Sequence, residues 1–215
     1  MKKPENAPLH SNLTSYIRES ELGFENIPEQ RRAQLKKIAL YVRSRTGEGG
    51  EARLTFICTH NSRRSHMAQI WAQTAAAHYR VPGVATYSGG TEATAFNPRA
   101  VAALQRAGIS IVETGGGENP MYEVRIAENA PVMKAFSKVY NEKPNPTNDY
   151  CAVMTCSQAD ENCPIVVGAS ARVAIPYDDP KAADGTDGEE AQYDERCRQI
   201  CREMLYLFSL VERAG

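Results

Sequence analysis

The chain has 215 residues, 42% hydrophobic and 24% charged, with 25 Lys and Arg against 26 Asp and Glu and a formal charge of -1. That balance offers no global field to a nucleic-acid backbone or an anionic membrane surface, and the length suits one main core with an appendage. No stretch reaches the roughly 18 consecutive apolar residues of a membrane span, and no apolar run follows the opening lysines, so the expectation is a cytoplasmic protein.

Residues 1–22 read as polar and irregular. In "NIPEQRRAQLKKIALYVRSR", Pro28 stands at a helix start and Leu35, Ile38 and Val42 form one apolar stripe, which predicts a helix over 29–44. The Gly-rich "TGEGGEA" follows. Residues 1–50 are therefore read as an N-terminal extension with one helix that docks on a body spanning 51–215.

From Arg53 strand and helix patterns alternate. "RLTFIC" reads as a buried strand, "RSHMAQIWAQTAAAHYR" as a helix, "VATYSGG" as a second strand, and "NPRAVAALQRAGI" as a helix opened by Pro98 and closed by Gly108. "NAPVMKAFSKVY" is expected to be helical, "DYCAVMTC" and "ARVAIPY" to be the third and fourth strands, and "EEAQYDERCRQICREMLYLFSLV" a long last helix. "TGGGENP" and "NEKPNPTND" read as loops. The order predicts an α/β fold of three layers, α/β/α, around a four-stranded parallel sheet, with ligands gathering at the carboxyl ends of the strands. Cys58, Cys156 and Asp179 all fall at such ends.

The loop "CTHNSRRS" carries the chemistry. Cys58 closes a strand, Arg64 follows after five residues, and a helix begins near Ser62 or Arg63. Backbone amides of Thr59, His60, Asn61, Ser62, Arg63 and Arg64 can then converge above the sulfur and hold a tetrahedral oxyanion. The Arg64 guanidinium adds a planar two-pronged donor. The same positive pocket favours a thiolate at Cys58, and the Ser65 hydroxyl can donate to it. No Gly-Lys-Ser or Gly-Lys-Thr is present, so this is not a nucleotide-binding loop.

"CTHNSRRSHMAQ" resembles the phosphate-binding loop of the low-molecular-weight protein tyrosine phosphatase fold. The resemblance implies Cys58 as nucleophile, Asn61 as the brace of the loop, Arg64 as oxyanion binder and Ser65 as thiolate donor. It also implies a late aspartate before proline as general acid, which in "IPYDDPK" is Asp179 rather than Asp178. "VMTCSQADENCPI" adds Cys156 and Cys163. With that pair the chain resembles the thioredoxin-coupled arsenate reductases, oxidoreductases of arsenic resistance built on the same fold. Their chemistry implies attack of Cys58 on arsenate, a Cys58–Cys156 disulfide as arsenite leaves, transfer of that bond to Cys156 and Cys163, and reduction by thioredoxin. No tightly bound cofactor is implied. The alternative is a hydrolase of the same fold, a tyrosine phosphatase working through a Cys58 phosphoenzyme.

Other readings of the cysteines are weaker. Zinc would want close Cys pairs or nearby histidines, and His10, His60, His66 and His78 lie far upstream, so no metal site is expected. Cys151 sits inside a strand, and Cys197 and Cys201 share a helical face with Met204 and Phe208, as core residues do. The loop departs from its relatives at His60, where they usually carry glycine, and at Arg63. Some relatives bind potassium with help from a helix glutamate, whose position here holds the uncharged Gln69.

Overall fold

The structure is a computed structural model and describes residues 9–47, 49–162 and 165–212. Helices α1 (Ser11–Glu21) and α2 (Glu29–Thr46) precede β1 (Ala52–Cys58), α3 (Arg64–His78), β2 (Val84–Gly90) and α4 (Pro98–Arg106). Three short strands follow, β3 (Ser110–Glu113), β4 (Tyr122–Arg125) and β5 (Met133–Ala135). The chain closes with β6 (Tyr150–Met154), α5 (Ser157–Asn162), β7 (Ala169–Ala174) and α6 (Glu189–Glu212).

The main sheet has the order β2-β1-β6-β7 and every pairing in it is parallel. Alternation along the strands splits the core. Leu54, Phe56, Cys151 and Val153 face the large cluster beneath α2, α3 and α6, while Ile57, Tyr150, Ala152 and Met154 face a smaller one beneath α5. The four-stranded parallel sheet expected from the sequence is therefore present. A second, antiparallel sheet, β3-β4-β5, was not expected.

Two local expectations are corrected. Residues 11–21 are a helix, so the extension holds two: Leu13, Ile17 and Ser20 are buried at helical spacing, and Tyr16 stacks on Trp71 with ring centroids 5.5 Å apart. Gly108 makes room for it at φ 95°, since a Cβ there would lie 2.5 Å from the Leu13 nitrogen. The segment 129–140 is not helical. Met133 and Ala135 pair with β4, and the Ser137 amide donates to Asn119 Oδ1, so tertiary hydrogen bonds override a helical apolar pattern. Residues 157–162, to which no element was assigned from sequence, form a short helix. Its first turn is closed by Cys156, whose carbonyl accepts from the Asp160 amide and whose sulfur accepts from the Ala159 amide at 3.4 Å.

Because Leu13, Ile17, Leu35, Ile38 and Val42 belong to the same buried cluster as the sheet and α6, the extension and the body are expected to unfold together. Ile17→Ala should lower stability by about 2–4 kcal/mol and leave a single urea transition. Separate transitions for the extension and the body would contradict a shared core.

Candidate active site

Four strand ends meet at one edge of the sheet. β1 ends at Cys58, β2 at Gly90, β6 runs into Thr155 and Cys156, and β7 leads through Tyr177 to Asp179. The join between β1 and β6 is fixed by Thr155, whose amide and hydroxyl both donate to the Ile57 carbonyl at 2.7 and 2.9 Å.

Between β1 and α3 the backbone is polarised. The Cys58 carbonyl accepts from the Thr91 amide, Thr59 from the Glu92 amide, His60 from the Ser137 and Thr94 hydroxyls, and Ser62 from the Asn97 amide. Those carbonyls are thus held from outside the loop. Among the described residues none accepts from the amides of Thr59 through Ser65, and Arg63 offers no side-chain cap to α3. Gly90 is required for this packing. A Cβ there would lie 2.6 Å from the Thr59 oxygen and 2.7 Å from the Asn61 nitrogen.

A chain of hydrogen bonds reaches the sulfur from one unambiguous donor. The Lys138 amide donates to Asn61 Oδ1 at 2.9 Å, which fixes the Asn61 side-chain amide so that Nδ2 points at Ser65 Oγ, also at 2.9 Å. That contact leaves the Ser65 hydroxyl proton free, and it can donate to Cys58 Sγ at 3.1 Å. Asn61 adopts φ 43°, a left-handed conformation that asparagine tolerates better than most residues. His60 is not in that region, so its bulk causes no backbone strain. Its ring points away and pairs with Glu92 at 2.9 Å.

Arg63 and Arg64 converge on Asp179. Arg63 Nε donates to Oδ1 at 2.8 Å and Arg64 Nη2 to Oδ2 at 2.8 Å, while Arg64 Nη1 donates to the Tyr177 carbonyl at 2.9 Å. Burial works to raise the Asp179 pKa, but the guanidiniums of Arg64 and then Arg63 outweigh it and hold the carboxyl below its ordinary value. Asp178 instead points to solvent and lies 3.6 Å from Arg196.

Cys156 is buried in the small cluster that also holds Cys58. Its sulfur lies 3.5 Å from the Thr59 hydroxyl, next along the chain from the first thiol. Cys163 lies outside the described residues. Cys151, Cys197 and Cys201 are buried in the core, and burial raises all three thiol pKa values, those of Cys151 and Cys197 to about 12. Among the described residues no three His, Cys, Asp or Glu side chains are grouped to hold a metal ion.

Two residues at this site escaped sequence reading. Lys138 is buried, its Nζ donates to the Phe136 carbonyl at 3.2 Å, and burial lowers its pKa to about 8. It lies in the segment wrongly expected to be helical, and a single lysine there carries no signal. Tyr177 could have been suspected, since it immediately precedes the Asp-Asp-Pro run.

A sequence profile of the low molecular weight phosphotyrosine protein phosphatases matches residues 53–117, which include the loop. An arsenate reductase of Bacillus licheniformis is 30% identical over 154 residues, covering 72% of this chain and 92% of that protein. An arsenate reductase of Bacillus subtilis is 30% identical over 143 residues, covering 66% and 84%. A solved arsenate reductase in its phosphate-binding state aligns with a TM-score of 0.48 at 18% identity, over 74% of this chain and 98% of that one. No helix among the described residues is long and apolar enough to cross a membrane.

The hydrogen bond from Ser65 should govern the reactivity of Cys58. Ser65→Ala removes the hydroxyl 3.1 Å from Cys58 Sγ, so alkylation of Cys58 by iodoacetamide at neutral pH is expected to slow about tenfold. Peptide mapping of the alkylated thiols measures it site by site, and an unchanged rate would refute the assigned polarity.

Proposed function

The chain belongs to the low molecular weight phosphotyrosine protein phosphatase family, and from that membership we propose that it reduces arsenate to arsenite by a relay of three thiols. The observation that carries this choice is Cys156, a buried second thiol beside the nucleophile loop, which hydrolysis of a phosphoester does not need. Relatives named arsenate reductase, aligned over most of their length, support the same choice.

In the proposed reaction, the unpaired loop amides and the free donors of Arg64 bind the arsenate oxygens. Cys58 thiolate attacks arsenic, an As–O bond breaks, and Asp179 gives its proton to the departing oxygen, which leaves as water. Cys156 then attacks Cys58. The S–As bond breaks, its electron pair stays on arsenic, and arsenite leaves as the Cys58–Cys156 disulfide forms. Cys163 attacks Cys156, restoring the Cys58 thiolate, and a thioredoxin dithiol reduces the Cys156–Cys163 bond. The last exchange requires α5 to open, and that means releasing Asp160 from Arg172, which holds its carboxylate at 2.6 Å and its carbonyl at 2.7 Å.

The proton on Asp179 has a specific origin in this scheme. Two arginines favour the ionised carboxylate, so the acid is poorly loaded by itself. An anion seated against Arg64 draws on the same positive charge and brings negative charge beside the carboxylate, and both effects raise its proton affinity. Substrate binding thereby loads the acid.

The second reading is hydrolysis of a phosphomonoester through a Cys58 phosphoenzyme. It is favoured by Cys58, Arg64 and Asp179 standing together, a set that suffices without Cys156.

Cys156→Ser separates the two. With arsenate and a thioredoxin system the variant is expected to lose multiple turnover, by at least about a hundredfold, while p-nitrophenyl phosphate cleavage stays within a few-fold of wild type. Full arsenate turnover in the variant would sink the relay. A further test concerns Arg63: Arg63→Gln removes one of the charges that lower the Asp179 pKa. The carboxyl then keeps its proton to higher pH, so the alkaline limb of kcat set by this acid should move upward. A limb that stays in place or moves down would remove Asp179 from the acid role.

A further inference from the structure

The N-terminal helices belong to the core, yet one side chain on α2 does something packing does not require. Arg31 reaches the segment after β7: its Nη2 donates to the Pro176 carbonyl, its Nε lies 3.6 Å from Glu203 Oε2, and its guanidinium stands 5.2 Å from the Tyr177 ring centroid. Glu203 on α6 is buried, and its Oε2 accepts the Tyr177 hydroxyl at 2.8 Å while Oε1 accepts from Gln199 at 3.1 Å. A buried carboxylate needs such partners, and Arg31 is its cation.

Tyr177 is where this network meets the site. Its phenol is held by Glu203, its amide donates to the Thr155 carbonyl at 3.1 Å, and its own carbonyl accepts from Arg64 Nη1 at 2.9 Å. Two residues further on is Asp179, which takes the other arm of Arg64. The orientation of the Arg64 fork therefore depends on where the Tyr177 main chain sits. That position is fixed from α2 and α6, far along the chain from the loop.

We propose that Arg31, acting through Glu203 and Tyr177, is a positioning residue that aims the Arg64 guanidinium at the oxyanion. The inference rests on the reading of Arg64 as oxyanion binder. It gives the extension a part in function: α2 clamps the strap that carries the hydrogen-bond acceptors of Arg64. An arginine is suited to this because its planar fork can bond a carbonyl and lie against a carboxylate at once, while a lysine cannot reach both in the same geometry.

The test measures anion binding directly, on the full chain, as protection of Cys58 from iodoacetamide by inorganic phosphate. Wild type is compared with Arg31→Met, Arg31→Lys, Tyr177→Phe and the packing variant Ile17→Ala. Arg31→Met and Tyr177→Phe should each raise the apparent phosphate dissociation constant about tenfold, the scale of one charge-assisted hydrogen bond. Arg31→Lys should recover part of the loss. Ile17→Ala, which weakens the same extension without touching the strap, should leave the constant unchanged. Tyr177→Phe keeps the ring and removes only the hydroxyl, so it stands as the arbiter should Arg31→Met fold poorly. Constants within twofold of wild type in both variants, or an equal rise in Ile17→Ala, overturn the positioning role. Absence of protection in wild type itself defeats the reading of Arg64, and the inference with it.

Discussion

The site rests on how the carbonyls between Cys58 and Arg63 are occupied. Peptide groups are dipoles, and a tight loop can turn either end inward. Here the turns after β2 and β5 and the residues before α4 supply donors that hold the carbonyls of Cys58, Thr59, His60 and Ser62 from outside. The amide ends are then left for the space above the sulfur, where the first turn of α3 adds its own unpaired donors. A surface of inward amide donors thus arises from the satisfaction of the opposite poles, with the surrounding chain bearing the constraint. Gly90 belongs to this device, because a side chain there would press on the very peptides being oriented.

Charge is then distributed around that surface so that no group is neutralised too completely. Asp179 shares Arg63 and Arg64, and Arg64 also spends a donor on a neutral carbonyl, so its remaining N–H groups stay available. A single arginine fully paired with Asp179 would have fewer N–H groups left for an oxyanion. The extra cation at Arg63 anchors Asp179 by a second contact, so that in the proposed reaction Arg64 is free to engage a substrate. Its cost is a carboxyl that holds its proton less readily, against the opposing effect of burial.

Much of this was legible in the chain. A β-branched run ending in Cys58, an arginine after five residues and a helical pattern beyond it are local features, and strand-end geometry converts them into a site without further information. The alternation of strand and helix likewise fixed the parallel sheet. What stayed hidden was nonlocal. Residues 129–140 have a helical apolar spacing, but Ser137 and Lys138 are recruited by Asn119 and Asn61, and no pattern within twelve residues announces a bond to a loop so far upstream. The first helix was missed for a different reason: Leu13 and Ile17 are only two apolar anchors in a polar stretch, and their burial depends on a surface created by Trp71, α6 and the bare backbone of Gly108.

The same distinction explains why the extension is more than a covering layer. Helices that merely shield a sheet contribute apolar area, and the stripe of Leu35, Ile38 and Val42 does so. Arg31 faces a different environment, at the seam where α2, α6 and the strap after β7 meet, and there a buried carboxylate, a phenol and an exposed peptide carbonyl must all be satisfied together. Burying Glu203 is unfavourable by itself, and apolar residues of similar volume could fill its place. A polar network at this seam fixes one geometry of the strap in a way that apolar packing would not, since hydrogen bonds are directional and contacts between methyl groups are not. The segment so fixed is the one whose next peptide holds Arg64, and so the specificity of a buried ion pair in the scaffold becomes the aim of a guanidinium in the site.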